Sequence, residues 1–406
     1  MKPIITSFLD QDFYKFTMGQ FILEYYEGTP VTFSFKCRTK TDKPITKMVK
    51  EEDLRRELDN ILVTNPTVDE LVYLGSLYLF NKKYLNFLKD IANKMSKYEL
   101  EYKGDELSLT FSGPWETVTY WETLSLSIVS ELYYRNYNEG RAHMQKDILE
   151  TLMPKIEVLR ANPGIKIVEF GTRRRYSKHV QSIVTGMLNS QLGAKENLLG
   201  TSNTRQAMQH RIKAIGTMAH ELFMVSAGAA YDGPEWVRQS QRDVCDRWLS
   251  MYGDKLAILL PDTFGSDWFF TQMDRDDLLA WNGFRQDSGD PVEFGEKVIK
   301  LYQENDIDPR TRSIIFSDGL DIGLIIKLYD HFAKRINVAF GWGTNLTNDI
   351  GAPPLSLVVK ATEACGQGLV KLSDNPAKSI GISENIEAYK KAFNYGENHE
   401  RKECVY

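Results

Sequence analysis

With 406 residues, the chain is longer than one small hydrophobic core requires, and we expect it to form two subdomains. Its 42% apolar and 26% charged residues are typical of a globular protein, and its formal net charge of -5 argues against binding to nucleic acid or to a membrane surface. The four widely spaced cysteines, and the lack of an apolar leader or of a long apolar run, predict a cytoplasmic protein that is neither exported nor membrane-spanning.

The first third of the chain mixes helical and strand patterns. Aromatic residues at spacings of three and four predict a helix over 10–26, where Tyr14 is a core residue or, less in keeping with the pattern, a site residue. Residues 30–38 alternate apolar and polar side chains, which predicts a half-buried strand. A hairpin is predicted through Lys103-Gly104-Asp105. Further helices are predicted at about 48–62, 68–77, 81–95, 115–136 and 138–160.

From residue 165 the pattern changes to short apolar runs that each end in polar or glycine residues. The runs are IKIVEF, IKAIGTM, LAILL, WNGF, SIIF and INVAF, and several are separated by helical segments. Strand–loop units that repeat in one direction predict a parallel α/β sheet, most economically a barrel with its active loops on one rim. An open doubly wound sheet is the alternative, although no GxGxxG motif follows an early strand.

The segment WNGFRQDSGDP has the composition of a ligand-binding loop. It places Arg285, Asp287 and Ser288 after an apolar run, and a proline then opens a helical run. Carboxylates suit the hydroxyls of a phosphorylated sugar and a guanidinium suits an anion. The alternative is a polar turn in which Asp and Ser only cap the helix.

Two later loops have the character of phosphate sites. Ser317-Asp318-Gly319 precedes a helix whose free N–H groups suit an anion, and Gly341-Trp342-Gly343-Thr344 allows a close backbone approach. Both follow the last two barrel-like strands, where barrel enzymes commonly bind phosphate, although glycine-rich turns are common elsewhere. The run Arg173-Arg174-Arg175 indicates either a nearby anion or a solvated helix start.

His220 lies at the end of a predicted strand, and Asp262 follows the next one. Most single histidines are structural, yet a carboxylate that fixes the imidazole tautomer could make His220 a nucleophile, since no Ser or Cys motif lies nearby. Beyond residue 346 we predict two alternating strands and a helix at about 383–394 that pack on the N-terminal domain. Lys360 and Lys371 either reach an anionic ligand or are solvated strand lysines, which the pattern favours.

Six ordered motifs, FGTRR, LGTSNT, GTMAHE, GFRQDSGDP, FSDGLD and GWGTNL, closely resemble nicotinate phosphoribosyltransferase of the bacterial and fungal kind. The resemblance extends from LDQDFYKFTMGQ to LVKLSDNPAKSIG. It implies a type II phosphoribosyltransferase fold, with an irregular parallel α/β barrel and an α+β domain built from both chain ends. We therefore expect an N-terminal domain at 1–135, a barrel at 136–345 and a C-terminal segment at 346–406.

The resemblance implies that the enzyme joins nicotinate to phosphoribosyl pyrophosphate, giving nicotinate mononucleotide and pyrophosphate for NAD synthesis. ATP hydrolysis through a phosphohistidine drives the step, Mg²⁺ assists the leaving group, and relatives can be homodimers that share the tyrosine. The resemblance implies that His220 is the phosphorylated residue and that the Asp262 carboxylate hydrogen-bonds it. It implies that Tyr14, Phe170 and Arg285 contact the pyridine, that Arg173 lies near the phosphoribosyl group and that Asp287 binds the ribose. The residues implied to bind the 5′-phosphate are Asp318, Gly319, Gly341, Gly343 and Thr344.

Ser202 in LGTSNT is the residue that we expect to select the pyridine. Relatives that use nicotinamide carry an aspartate at the matching place, whereas a serine hydroxyl can donate to the nicotinate carboxylate with no like charge opposing it. Ser202 could instead be a turn hydroxyl. The alternatives for the whole chain are a nicotinamide phosphoribosyltransferase and a non-catalytic protein that binds a phosphometabolite.

Overall fold

The computed structural model describes residues 2–137, 144–193 and 197–396, without the side chains of 144 and 145. By packing, the chain divides into two compact units. The first unit runs to Gly216 and also includes Trp342–Lys360, whereas the second comprises Thr217–Gly341 and the described residues from Ala361 onward. The predicted division at residues 135 and 345 stays a prediction.

An antiparallel sheet in the first unit contains β1 (Pro30–Cys37), β2 (Tyr98–Lys103) and β3 (Glu106–Pro114). β1 pairs with β3, and β2 pairs with β3 up to Lys103 opposite Glu106. Gly104 has a φ of 58° in the two-residue turn, a conformation that glycine adopts without strain, so the predicted hairpin is confirmed. The predicted strand at 30–38 is confirmed as well.

The core of the first unit is built on the helix Trp121–Tyr137, which is buried from Trp121 to Tyr134 on all its faces. A helix that is enclosed in this way must pair every charge that it carries. The other helices described in this unit are Tyr14–Tyr25, Ile45–Met48, Glu51–Ile61, Val68–Ser76, Lys82–Leu88, Ile91–Lys94, Trp115–Val118, Met144–Ala161, Lys178–Leu192, Thr204–His210 and Thr344–Thr347. The predicted helix start at 138–143 lies outside the described residues.

Two parallel strands, β4 (Ile167–Glu169) and β5 (Leu198–Thr201), pair within the first unit. A turn of 3₁₀ helix at Thr172–Arg174 follows β4. Arg175, directly after this turn, donates to both carboxylate oxygens of Asp10 at 2.6 and 2.9 Å, and both side chains are fully buried. This bidentate pair ties the N-terminal segment to the turn, so Arg175 has a structural partner rather than a free anion site.

The second unit has four further parallel strands within its described residues, β6 (Ile258–Leu259), β7 (Gly283–Gln286), β8 (Ser313–Phe316) and β9 (Asn337–Trp342), each paired with the next. Their carboxyl ends lie at one edge of the sheet, where α/β proteins place ligand loops. The helices described in this unit are His220–Ala229, Pro234–Tyr252, Ser266–Thr271, Arg275–Ala280, Pro291–Glu304, Ile322–Phe332 and Ser383–Ala392.

One predicted strand is wrong. IKAIGTM has no regular secondary structure apart from a single isolated bridge, between Ala214 and Thr201. Its backbone therefore lacks the repeated pairing that defines a strand, and His220 begins a helix without a strand before it. Conversely, β5 was not predicted from its short run LLGT.

Near the C-terminus, β10 (Leu357–Ala364) and β11 (Gln367–Gly368) form a hairpin. The predicted helix at 383–394 is confirmed as Ser383–Ala392. LVKLSDN is not a regular strand, since Lys371 makes only an isolated bridge to Ile380. In the described ranges, no helix is long and apolar enough to span a membrane. The α/β class with parallel strands and an antiparallel sheet is confirmed, whereas closure of a barrel stays a prediction.

Candidate functional site

His220 is the centre of a buried polar cluster in the second unit, which we call the histidine cluster: His220, Asp262, Thr263, Asp287 and Lys371. The imidazole is only 3% exposed and begins the helix His220–Ala229. Its Nε2 lies 3.0 Å from Oδ2 of Asp287, and its Nδ1 lies 3.0 Å from Oγ1 of Thr263. An anionic Asp287 can only accept, so it selects the tautomer with the proton on Nε2 and the lone pair on Nδ1.

The expected hydrogen bond from His220 to Asp262 is wrong. Oδ1 of Asp262 lies 3.7 Å from Nε2, beyond hydrogen-bonding distance, because Asp287 occupies the direction of the N–H. Oδ2 of Asp262 instead accepts from the hydroxyl of Ser288 at 2.5 Å. Ser288 in turn accepts from the backbone N–H of Asp374 at 3.0 Å, so Ser288 orients Asp262.

The environment keeps the imidazole neutral at neutral pH. Burial lowers the pKa of His220 most, Lys371 lowers it further, and Asp262 and Asp287 oppose them, which leaves a pKa of about 4. Burial raises the pKa of Asp287, but Arg285 and His220 outweigh burial and hold that pKa well below its usual range. A neutral imidazole beside a carboxylate is the ionisation state that a nitrogen nucleophile requires.

The C-terminal segment brings two lysines to the strand-end loops of the second unit. The backbone N–H of Leu372 donates to the carbonyl of Thr263 at 2.9 Å, which fixes the segment beside His220. Lys371 is only 5% exposed, so its interpretation as a solvated strand lysine is wrong. Lys378 donates to the carbonyl of Asp287 at 3.1 Å and pairs with the carboxylate of Asp318.

The loop after β8 differs in part from the predicted phosphate site. Ser317 contacts Oδ1 of Asp287 at 3.1 Å, and Gly319 has a φ of 60° that favours glycine. The helix begins at Ile322, and its N-cap Asp321 accepts from the N–H of Leu324 at 2.8 Å. One helix donor is therefore already used, and the turn at Gly319 is a further place where the backbone could face an anion.

A second buried polar group lies in the first unit, and we call it the tyrosine cluster: Asp12, Tyr14, Glu122, Arg173 and Lys360. The Tyr14 hydroxyl donates to Glu122 at 3.0 Å, and Arg173 lies 3.5 Å from Glu122 with its guanidinium carbon 6.0 Å from the Tyr14 ring centroid. The Arg173 side chain is 41% exposed, whereas Tyr14 is buried. An aromatic ring with an accessible cation beside it suits an aromatic anion.

Ser202 has a partner that the sequence did not predict. Its hydroxyl donates to Oδ1 of Asp12 at 2.6 Å, and Oδ2 of Asp12 lies 3.5 Å from Nε of Arg173. We expected no acidic group of the protein near Ser202 that would repel the carboxylate of nicotinate. That expectation is wrong, since the carboxyl group of Asp12 lies beside Ser202. Burial raises the pKa of Asp12 more than Arg173 and Ser202 lower it, which reduces this opposition.

Phe170 and the loop after Trp342 are packed together in the first unit. The N–H of Phe170 donates to the carbonyl of Trp342 at 2.8 Å. A Cβ at Gly343 would lie 3.2 Å from the Phe170 carbonyl oxygen, so glycine allows this close approach of two backbone segments, while the predicted approach to a ligand stays a prediction. Thr344 begins the short helix Thr344–Thr347, and Gly341 ends the second unit's part of β9.

The sequence did not predict Asp12, Glu122 and Thr263 of the two clusters, or Asp374 and Lys378 next to the histidine cluster. Glu122 had a usable signal, because it is the only charged residue in the run WETLSLSIV, whose other members are apolar, aromatic or small hydroxyl residues. The described residues contain no group of three or more His, Cys, Asp or Glu side chains arranged to hold a metal ion.

Comparison with known proteins matches both parts of the chain. Residues 165–397 match the nicotinate phosphoribosyltransferase (NAPRTase) family, and residues 9–130 match the N-terminal domain of that family. A nicotinate phosphoribosyltransferase structure from Porphyromonas gingivalis is 31% identical, with a TM-score of 0.86 over 96% of this chain and 100% of that one.

Two further solved structures are similarly close. A nicotinate phosphoribosyltransferase from Vibrio cholerae is 32% identical, with a TM-score of 0.87 over 97% of this chain and 94% of that one. A putative nicotinate phosphoribosyltransferase from Saccharomyces cerevisiae is 28% identical, with a TM-score of 0.86 over 97% and 99%.

Proposed function

Because the chain belongs to the nicotinate phosphoribosyltransferase family, we propose that it joins nicotinate to phosphoribosyl pyrophosphate, with ATP hydrolysed through a phosphate carried by His220. The products are nicotinate mononucleotide and pyrophosphate. The observation that carries the proposal is the state of His220, a buried neutral imidazole whose Nε2 proton is directed at Asp287.

His220 has the geometry of a phosphoryl acceptor. With the proton of Nε2 held by Asp287, the lone pair of Nδ1 attacks the γ-phosphorus of ATP as the Thr263 hydroxyl turns aside. A bond forms between Nδ1 and the γ-phosphorus, and the bond from the γ-phosphorus to the bridging oxygen breaks. ADP leaves with that oxygen and with the electron pair of the broken bond. Phosphorylation adds negative charge next to Lys371, which changes the affinity of the loops around it for other anions.

The sugar phosphate fits the loops of the second unit. The Asp287 side chain is 30% exposed, so its carboxylate can accept hydrogen bonds from ribose hydroxyls and from His220 at the same time. An ionised Asp318 carboxylate would repel a phosphate, although burial raises the pKa of Asp318 and so favours its neutral form. Lys378, which pairs with Asp318, and the backbone of Gly319 would attract a phosphate. We assign the 5′-phosphate to Gly319 and Lys378 rather than to the Asp318 carboxylate.

Nicotinate fits the tyrosine cluster of the first unit. Its ring would lie against the aromatic side chains of Tyr14 and Phe170. Arg173, to which the resemblance gives the phosphoribosyl region, lies beside the Tyr14 ring and would also attract the carboxylate. Asp12 beside Ser202 keeps nicotinamide as a second candidate, because a carboxylate can accept from an amide NH₂. The homodimer that the resemblance implies stays a prediction, and Tyr14 contacts Glu122 of its own chain.

The described residues also fit the Mg²⁺ that the resemblance implies. Oδ1 of Asp262 and Oδ2 of Asp318 are buried oxygens that accept no hydrogen bond in the described part of the chain. Mg²⁺ is usually held by one or two carboxylates together with substrate phosphates, so these oxygens are suitable ligands. When bound, Mg²⁺ would neutralise charge on the pyrophosphate leaving group.

Phosphate transfer from ATP tests the proposal. Incubation with ATP labelled at the γ-phosphate should give acid-labile, base-stable label on the protein, and His220→Asn should abolish it. His331→Asn is the matched control, because His331 is an exposed histidine of the same unit that pairs with Glu296 at 2.7 Å. Label that persists in His220→Asn, or that disappears in His331→Asn, would contradict the assignment.

A further inference from the structure

Glu122 is a buried carboxylate that none of the proposed chemical steps uses. It is the second residue of the helix Trp121–Tyr137 and its side chain is only 2% exposed. Burying a charge is costly unless partners compensate it, so a carboxylate at this place requires an explanation from its surroundings.

Four side chains from three separate segments converge on this carboxylate. Oε2 of Glu122 accepts from the Tyr14 hydroxyl at 3.0 Å and lies 2.7 Å from the ammonium of Lys15. Oε1 accepts from Lys360 at 3.0 Å and lies 3.5 Å from the guanidinium of Arg173. The N-terminal helix, the 3₁₀ turn after β4 and strand β10 are thereby joined at one group.

The three cations of this group outnumber its two carboxyl groups, Glu122 and Asp12, the second of which lies 3.5 Å from Arg173. Burial raises the pKa of Glu122, but Lys15, Lys360 and Arg173 outweigh burial and hold the pKa well below its usual range, so Glu122 is anionic. Three cations thus surround one carboxylate. Lys15 is fully buried and Lys360 is 20% exposed, whereas Arg173 is 41% exposed, so Arg173 is the cation most open to a ligand.

We propose that Glu122 is a positioning residue for the pyridine substrate, which fixes the Tyr14 ring through its hydroxyl and holds Arg173 beside that ring. The inference rests on the proposed function, since it assigns the pyridine to Tyr14 and Arg173. In a purely structural role, Glu122 would only neutralise the buried Lys15. Removing the charge of Glu122 would then not change the affinity for one substrate more than for the other.

Glu122→Gln tests this role, because it keeps the shape of the side chain and removes its charge. Loss of one charge-assisted hydrogen bond predicts a KM for nicotinate that rises roughly tenfold, with the KM for phosphoribosyl pyrophosphate within about twofold of the original. Glu57→Gln is the matched control. Glu57 is a carboxylate of the same unit, 2% exposed, that accepts from the backbone N–H of Ile4 at 2.7 Å, and its variant should leave both KM values unchanged.

Tyr14→Phe provides a second test that does not depend on folding of the Glu122 variant. Removing the hydroxyl frees the ring from Glu122, so we expect the KM for nicotinate to rise roughly threefold. In the double variant the two effects should combine to less than their product, because Glu122→Gln weakens the same hydrogen bond that Tyr14→Phe removes. An unchanged KM for nicotinate in Tyr14→Phe, or simple multiplication of the two effects, would overturn the proposal.

Calorimetric binding of nicotinate separates failure of this inference from failure of the proposed function. If the original chain makes no product, the proposed function is refuted, whatever the variants do. If the original chain binds no nicotinate, the proposed function and the role of Glu122 are both refuted. An original chain that binds nicotinate, with Glu122→Gln binding equally well or losing affinity for both substrates alike, overturns only the role of Glu122.

Discussion

The imidazole of His220 should stay neutral throughout the pH range from 5 to 8. Its burial lowers the pKa most, Lys371 adds to this effect, and the carboxylates Asp262 and Asp287 compensate it only in part. The resulting pKa of about 4 compares with an ordinary histidine value of 6.5. At pH 5.5 an imidazole with a pKa of about 4 is about 97% neutral, whereas one with the ordinary value is about 9% neutral. The amount of neutral nucleophile therefore differs about tenfold.

The same shift makes the stability of the fold depend on pH. Between pH 6.5 and 4 the unfolded chain binds a proton at His220 that the folded chain does not bind, so stability decreases as the pH falls through this window. The full shift corresponds to roughly 3 kcal/mol in the free energy of unfolding, which is retained above pH 6.5 and lost below pH 4.

The direct assay is an NMR titration of the histidine Cε1–H resonances. The chain has six histidines, and the resonance that disappears in His220→Asn assigns the one of interest. We expect this resonance to stay constant from pH 8 to 5 in the folded protein and to titrate normally in urea. In Lys371→Met the pKa should rise but remain below 6.5, because burial is the larger cause. Titration of folded His220 near pH 6.5 would refute the reasoning.

Three further substitutions test separate parts of the account. Asp287→Asn should lower kcat roughly 100-fold, and near-normal steady-state synthesis would contradict its assignment. Ser202→Asp should raise the KM for nicotinate much more than that for nicotinamide, so equal effects in parallel assays would exclude Ser202 from pyridine selection. Asp10→Asn should lower the free energy of unfolding by roughly 3–5 kcal/mol because it removes the charge that pairs with the buried Arg175, which a urea titration with an unshifted midpoint would disprove.

Local pattern was enough to predict most elements of the fold. Alternation in PVTFSFKC predicted β1, and the two residues after Lys103 predicted the hairpin, because neighbouring residues determine both features. Periodicity failed for IKAIGTM, whose apolar residues fit a strand although the segment makes only one bridge. Pairing depends on a partner elsewhere in the chain, which a local pattern does not contain.

The polar clusters show the same limit more sharply. Asp262 was predicted to bind His220 but lies 3.7 Å from Nε2, whereas Asp287, which was predicted only as a ribose ligand, reaches Nε2 at 3.0 Å. Sequence spacing does not resolve such distances. Tyr14 and Glu122 are 108 residues apart, and the buried charge in WETLSLSIV was the only local sign that a partner was needed.

The central claim is tested most directly by counting all products in a single reaction that contains nicotinate, phosphoribosyl pyrophosphate, Mg²⁺ and ATP. We predict nicotinate mononucleotide and pyrophosphate in equal amounts, with ADP formed alongside them, and little product when nicotinamide replaces nicotinate. His220→Asn should abolish ADP formation and the stimulation by ATP while some uncoupled synthesis remains. Absence of nicotinate mononucleotide with the original chain, with or without ATP, would contradict the account.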